Sequence, residues 1–205
     1  MKNGKVKPTA QNRGLLDGRR TDGSKIPPER TTVEKLIAIY EVDFLPCSYG
    51  YRPGRGAHDA IKALTVELQF GKHQFVVEED IKGYFDNIQW KWLERMLELR
   101  INAGALKSLI RKWLRAGVLE EDGKVIHPQT GTPQGGVVSP VLANIYLHYA
   151  LDRWFEQVVQ PKQRGRCRLI RYADDFVAGF EHRYEAAQFE KELVLLRQAC
   201  CRLEK

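Results

Sequence analysis

Two adjacent aspartates, Asp174 and Asp175, sit at the centre of Leu169–Phe180, with short apolar and aromatic runs on either side. The pattern predicts a β-hairpin with Tyr172 to Asp175 at or near its turn. Adjacent carboxylates repel, and burying them costs free energy unless cations compensate. Aspartate is also an ordinary turn residue, so the pair gains chemical meaning only from what lies elsewhere in the chain. Upstream, residues 75–81 read as a strand whose end carries Glu78, Glu79 and Asp80. Residues 82–87 turn away from it, with Asp86 or Asn87 placed to cap the next helix. If strand and hairpin are neighbours, Asp80, Asp174 and Asp175 converge on one sheet edge. Oxygen ligands of this kind suit Mg²⁺, and two ions ~3.5–4 Å apart form the clamp used for in-line phosphoryl transfer. Mn²⁺ is a possible substitute. Gly83 lets the backbone after Asp80 approach and cradle phosphate oxygens, and the bulky Phe85 can wall the 2′ side of a sugar.

Two further loops and a basic stretch frame these acids. Gly131-Thr132-Pro133-Gln134-Gly135-Gly136 precedes Ser139-Pro140, which predicts a long helix with Ser139 at the N-cap and Pro140 at N1. Ser48–Gly56 mixes glycines, tyrosines, Arg52 and Arg55, side chains suited to stacking on bases and pairing with phosphates. Lys162, Arg164, Arg166, Arg168 and Arg171 lie between Gln160 and Arg171 with no acid among them. They are expected to hold a polyanion against the acidic hairpin.

The elements that must position these residues follow from periodicity. Thr31–Glu34 fits a capping box, with Val33, Leu36, Ile37 and Tyr40 following at helical spacing. Residues 57–70 predict a helix with Ile61, Leu64 and Leu68 inward and Gly71 as its stop. Helices are expected over about 90–100 and 105–116, a hairpin over 118–127 around Asp122-Gly123, and a last helix over 184–204. Antiparallel strands with helices on one side imply an α+β fold.

Composition agrees with a folded, basic, reduced protein. The 205 residues are 43% hydrophobic with a formal charge of +7 and a pI of about 9.2, which favours a polyanionic partner. Residues 1–30 are polar and aperiodic and read as a mobile basic arm. The four cysteines show neither Cys-x-x-Cys nor zinc spacing, so a cytoplasmic setting is expected. No signal peptide or membrane-length apolar run is evident.

Asp80–Asp86 (Asp-Ile-Lys-Gly-Tyr-Phe-Asp), Gly131–Gly136 with Ser139-Pro140, and Tyr172–Asp175 (Tyr-Ala-Asp-Asp) occur in the order of reverse-transcriptase motifs. The set resembles the reverse transcriptases, or maturases, encoded by bacterial group II introns, and residues 48–60 resemble the fingers motif of that branch. The resemblance spans about residues 31–197 and rests on four motifs in order. It implies the fingers and palm of a right-hand polymerase, with 31–74 and 91–134 as fingers and 75–90 and 135–205 as palm. It implies RNA-directed DNA synthesis from dNTPs on an RNA template and DNA primer, with intron RNA as a further partner, in the bacterial cytoplasm at the nucleoid. Asp80 and Asp174 would be the principal Mg²⁺ ligands, Asp175 the third acid, and the Ile81 carbonyl part of a metal shell. Lys82, Gly83 and Tyr84 would line the nucleotide site, Phe85 would be the gate favouring deoxynucleotides, and Pro133, Gln134 and Gly135 would lie against the incoming nucleotide. Arg52, Arg55, Arg164, Arg166, Arg168 and Arg171 would contact nucleic acid. Residues 20–27 depart from the family's usual fingers segment, and the family's thumb lies outside the chain, as expected of a partial frame or a fragment. The competing expectation is an intron-RNA-binding fragment that does not catalyse.

Overall fold

This computed structural model describes residues 28–81, 83–115, 118–119, 125–126, 130–132 and 137–202. The basic arm expected over 1–30 lies almost wholly outside them. In chain order the elements are α1 (Pro28–Tyr40), α2 (Ala57–Phe70), β1 (Phe75–Asp80), a 3₁₀ turn (Tyr84–Asn87), α3 (Trp90–Glu98), α4 (Gly104–Leu114), β2 (Val118–Leu119), β3 (Val125–Ile126), α5 (Ser139–Leu147), β4 (Cys167–Tyr172), β5 (Asp175–Phe180) and α6 (Arg183–Arg202). Helix α5 runs on through two π-helical segments, His148–Asp152 and Phe155–Val159, and a 3₁₀ turn at Gln160–Lys162.

Alternating side chains decide the sheet. β1, β5 and β4 pair antiparallel in that order. Phe176, Ala178 and Phe180 of β5, with Cys167 and Leu169 of β4, face the core. Phe180 meets Phe189 of α6 at 5.2 Å and Phe155 at 6.3 Å between ring centroids. Burying side chains of this size contributes roughly 1.5–3 kcal/mol each. Helix α6 packs on β1 and β5, while α1 and α3 pack on α5. The opposite face of the sheet, carrying Asp80, Glu78, Tyr172, Ile170, Asp175 and Val177, is partly roofed by α2.

Several expected boundaries and faces shift. Helix α1 starts at Pro28, so Thr31–Glu34 lies inside it; a proline in the first turn needs no amide partner there. In α2, Ala60 is buried, whereas Ile61 and Leu68 are 61% and 46% exposed. The helix rests on β4 through the side that bears Ala60 and Glu67, and apolar spacing does not reveal which side a neighbour will cover. Ser139 is the first residue of α5 and Val138 its cap, one position earlier than expected. Asn87 does not cap α3; its amide donates back to the Gly83 carbonyl at 2.8 Å, and Gln89 stands at the N-cap. The short β2–β3 hairpin forms in the expected place, with Val118 opposite Ile126, while its turn lies outside the described residues.

Candidate active site

The acidic centre is a product of strand register. β1 and β5 pair so that Asp80 stands opposite Asp175, and β4 and β5 pair so that Tyr172 stands opposite Asp175. Ala173 and Asp174 form the two-residue turn of the β4–β5 hairpin, with Ala173 at φ +56°, a left-handed conformation rare outside glycine. Partial burial and the charges of Asp174, Asp80 and Glu78 together push the Asp175 carboxyl above its ordinary value. Nearby, burial and the charge of Asp174 raise the phenol of the exposed Tyr51. Asp80 and Asp175 open onto a cleft of about 380 Å³ between α2 and the sheet.

An all-oxygen donor set with crowded negative charge fits hard divalent cations. The carboxylates are neighbours rather than a closed shell: among the described residues no three His, Cys, Asp or Glu side chains gather tightly enough to hold an ion.

The other motif loops dock beside this centre. Gly83 adopts φ +62°, and the Ile81 carbonyl accepts the Tyr84 amide at 3.0 Å. Tyr84 is buried and donates its hydroxyl to the Ala143 carbonyl at 2.6 Å, anchoring the turn to α5. Phe85 is half-buried against Tyr84, with ring centroids 5.6 Å apart. The loop at 130–132 is pinned to this same turn. Gly131 and Thr132 donate amides to the Ile88 and Phe85 carbonyls at 2.8 Å, and Thr130 donates to the Asp86 carbonyl at 2.9 Å. Gly131 has φ +82°, and a Cβ there would lie 2.7 Å from the Phe85 carbonyl oxygen. Lys82, Pro133, Gln134 and Gly135 lie outside the described residues.

The basic residues divide. Arg171 is fully buried: it grips both carboxylate oxygens of Asp152 at 2.6 and 2.7 Å and donates to Ser48, Asn144 and the Ala173 carbonyl. Burial works against its charge, but Asp152, by charge and hydrogen bond, outweighs this and raises the guanidinium pKa. Arg52 is also buried, bound to Glu41 and to the Leu45 and Ser48 carbonyls. The expectation that these two contact nucleic acid is corrected: their donors are spent inside the protein. Arg55 is half-buried, donating to the Pro46 carbonyl at 2.9 Å and lying over the Tyr49 ring. Arg164, Arg166 and Arg168 are exposed, Arg168 facing Glu67 at 3.6 Å. Glu185 and Glu181 accept the amides of Arg164, Gly165 and Arg166 and shape the loop that presents them. That loop enters the opposite end of β4 from the acidic turn, and six strand residues span ~20 Å. The bases therefore do not flank the aspartates, contrary to expectation. Asp152 and Asn144 carry no signal in the sequence, because each has the composition of an ordinary helix position; Ser48 and Tyr51 lie in the loop singled out for stacking on bases, which does not reveal that it packs beside the hairpin.

A family model for reverse transcriptase (RNA-dependent DNA polymerase) matches residues 28–202. The group II intron-encoded protein LtrA of Lactococcus lactis subsp. cremoris is 45% identical over 123 residues, 60% of this chain and 20% of that protein. An uncharacterized 91 kDa protein in the cob intron of Schizosaccharomyces pombe is 38% identical over 160 residues, 73% of this chain and 19% of that protein. The chain thus spans about a fifth of the length of these curated relatives. The structure of telomerase from Candida albicans, in complex with a fragment of telomeric RNA, aligns with a TM-score of 0.60 over 81% of this chain and 32% of that one. At 15% identity this is a likeness of fold, the α+β fingers and palm of a polymerase. No helix among the described residues is long and apolar enough to cross a membrane. Motif order, strand register and family match agree: the chain belongs to the reverse transcriptase (RNA-dependent DNA polymerase) family and is similar to group II intron-encoded proteins.

Proposed function

We propose that the chain is the fingers-and-palm part of a group II intron reverse transcriptase, with 31–74 and 91–134 as fingers and 75–90 and 135–205 as palm. It would add dNTPs to a primer 3′-hydroxyl on an RNA template in the bacterial cytoplasm, with intron RNA as a second ligand. The observation that carries this reading is the register that sets Asp80 opposite Asp175 with Asp174 in the adjoining turn. Asp80 and Asp174 would hold two Mg²⁺ ions, helped by Asp175 and the second lone pair of the Ile81 carbonyl. When bound, such ions acidify the primer hydroxyl and neutralise the departing pyrophosphate. The protein's own part is positioning. By the family resemblance, the backbone of residues 82–84 would approach the triphosphate, Phe85 would stand against the 2′ position, and Gln134 with Pro133 and Gly135 would lie against the incoming nucleotide. Arg164, Arg166 and Arg168, with Arg55, would meet phosphates away from the chemistry.

The test is primer extension on an RNA template with Mg²⁺, beside Asp174→Asn as control. dNTP addition lost in the variant supports the reading. Retention of RNA by a well-folded parent that adds no nucleotide would point instead to an RNA-binding fragment.

A further inference from the structure

We propose that Arg171 is a positioning residue for the catalytic turn: its buried guanidinium, clamped by Asp152 and bonded to the Ala173 carbonyl, holds Asp174 in place. This rests on the assignment of Asp174 to the acidic centre.

Every donor of the group is used. A guanidinium carries five N–H groups. Nε donates to Asp152 Oδ1 at 2.7 Å, and Nη2 donates to Asp152 Oδ2 at 2.6 Å and Ser48 Oγ at 2.8 Å. Nη1 donates to Asn144 Oδ1 at 2.9 Å and to the Ala173 carbonyl at 2.8 Å. One side chain therefore ties α5, the segment around Ser48 and the turn itself.

A buried ion pair is in general a weak stabiliser, because desolvation offsets its attraction. What sets this one apart is its address. It stands two residues from the turn, and one of its bonds ends on the turn's own backbone. That turn holds Ala173 at φ +56°, a conformation that persists only where the surroundings enforce it. The far side is enforced too. Gly50 lies so close that a Cβ there would meet the Ala173 nitrogen at 2.4 Å, and Asn144 Nδ2 donates to the Gly50 carbonyl at 3.1 Å. The strand edge is fixed by Arg171 N donating to the Cys47 carbonyl at 2.8 Å and Tyr49 N donating to the Arg171 carbonyl at 2.9 Å.

The helix is wound to serve the same group. Asn144 and Asp152 are eight residues apart, and on a regular α-helix they would point about 80° away from each other. The π segment His148–Asp152 winds more slowly and narrows that angle, so both reach one guanidinium. π segments of this kind are frequent at functional sites.

The test compares the parent with Arg171→Met/Asp152→Leu and with Arg171→Lys. Removing both charges together is often neutral for stability, whereas Lys keeps the charge and loses the fork. Backbone amide exchange is followed by NMR beside denaturant unfolding. Both variants are expected to speed exchange at Asp175 and Tyr49 at least tenfold while Ile170 and Ala178 keep their protection. The kcat for dNTP addition should fall at least tenfold with KM within twofold. Unchanged exchange at the turn, or acceleration spread evenly over the sheet, would overturn the proposal. If the double variant does not fold, the Lys variant decides on the same exchange criterion. Exchange needs neither primer nor metal, so a parent that fails to extend primers would refute the functional reading and leave this measurement to decide the positioning.

Discussion

Asp80 and Asp175 face each other directly across the β1–β5 ladder, on the face of the sheet that opens to the cleft. Like charges in that relation destabilise a sheet, and a folded chain that keeps them is strained by its own charge at neutral pH. The sign follows from the raised Asp175 pKa. Folding favours its protonated form, so this group's contribution to stability is present below the ordinary 3.8 and is lost as pH rises through the folded value. Asp175→Asn should therefore make the metal-free protein more stable than the parent at pH 7, with the gap closing towards pH 3.8. Urea unfolding at the two pH values measures this; a variant less stable than its parent at pH 7 would refute it.

Mg²⁺ should raise the parent's melting temperature, because an ion bound only by the native state stabilises it. Asp174→Asn should melt no lower than the parent without Mg²⁺ and gain less from its addition. Identical gains in the two proteins would take Asp174 out of the metal site.

Gly50→Ala should disturb the acidic turn from the opposite side of the loop. A methyl group 2.4 Å from a backbone nitrogen must displace one of the two segments. Overpacking of that kind costs ~1–3 kcal/mol, read from denaturant unfolding, and the Mg²⁺ response should weaken with it. Wild-type stability and an unaltered Mg²⁺ response would show that the close approach is dispensable.

Phe85→Ala should relax the choice of sugar. The residue is half-buried beside Tyr84, and its backbone is held by Thr132, so truncation opens space without releasing the turn. Discrimination against ribonucleotides should drop by the ~1–3 kcal/mol typical of a small steric difference, or about 10–200-fold. Competition between a dNTP and its rNTP on one primer gives the ratio; an unchanged ratio would remove Phe85 from the gate.

Arg164→Ala/Arg166→Ala should weaken RNA binding uniformly across sequences and lower the salt slope by about 1 for each phosphate no longer neutralised. The Mg²⁺-dependent melt should stay as in the parent, since β4 separates this loop from the acids. An unchanged salt slope would place the RNA elsewhere.

The strands and the acidic hairpin are legible in the sequence because alternation and turn chemistry are local signals, and both point to one register. The meeting of Asp80 with the hairpin is legible only through the motif set, since pairing of distant strands leaves no local mark. Arg171 shows where reading by composition fails. Among five bases it looks like another solvated cation, yet it stands on the inward side of β4, where period-two alternation already places it beside Leu169. Its partner Asp152 is equally hidden, because a π segment shifts the helical phase by which an inward acid would be recognised. The outward apolar residues of α2 fail for the converse reason: helical spacing reports that a stripe exists, not that a neighbour covers it.

The slow-wound stretch His148–Asp152 also constrains how such chains can vary over time. A π turn holds one residue more than an α turn. Deleting that residue would leave a regular helix with Asn144 and Asp152 seven positions apart, only about 20° from alignment, so both would still face β4. Winding the same number of residues as a regular α-helix is what would break the arrangement, by turning Asp152 about 80° from Asn144. The length of this stretch and its winding are therefore coupled: a chain one residue shorter here can keep the arginine on a regular helix, whereas one of equal length can keep it only with the π turn.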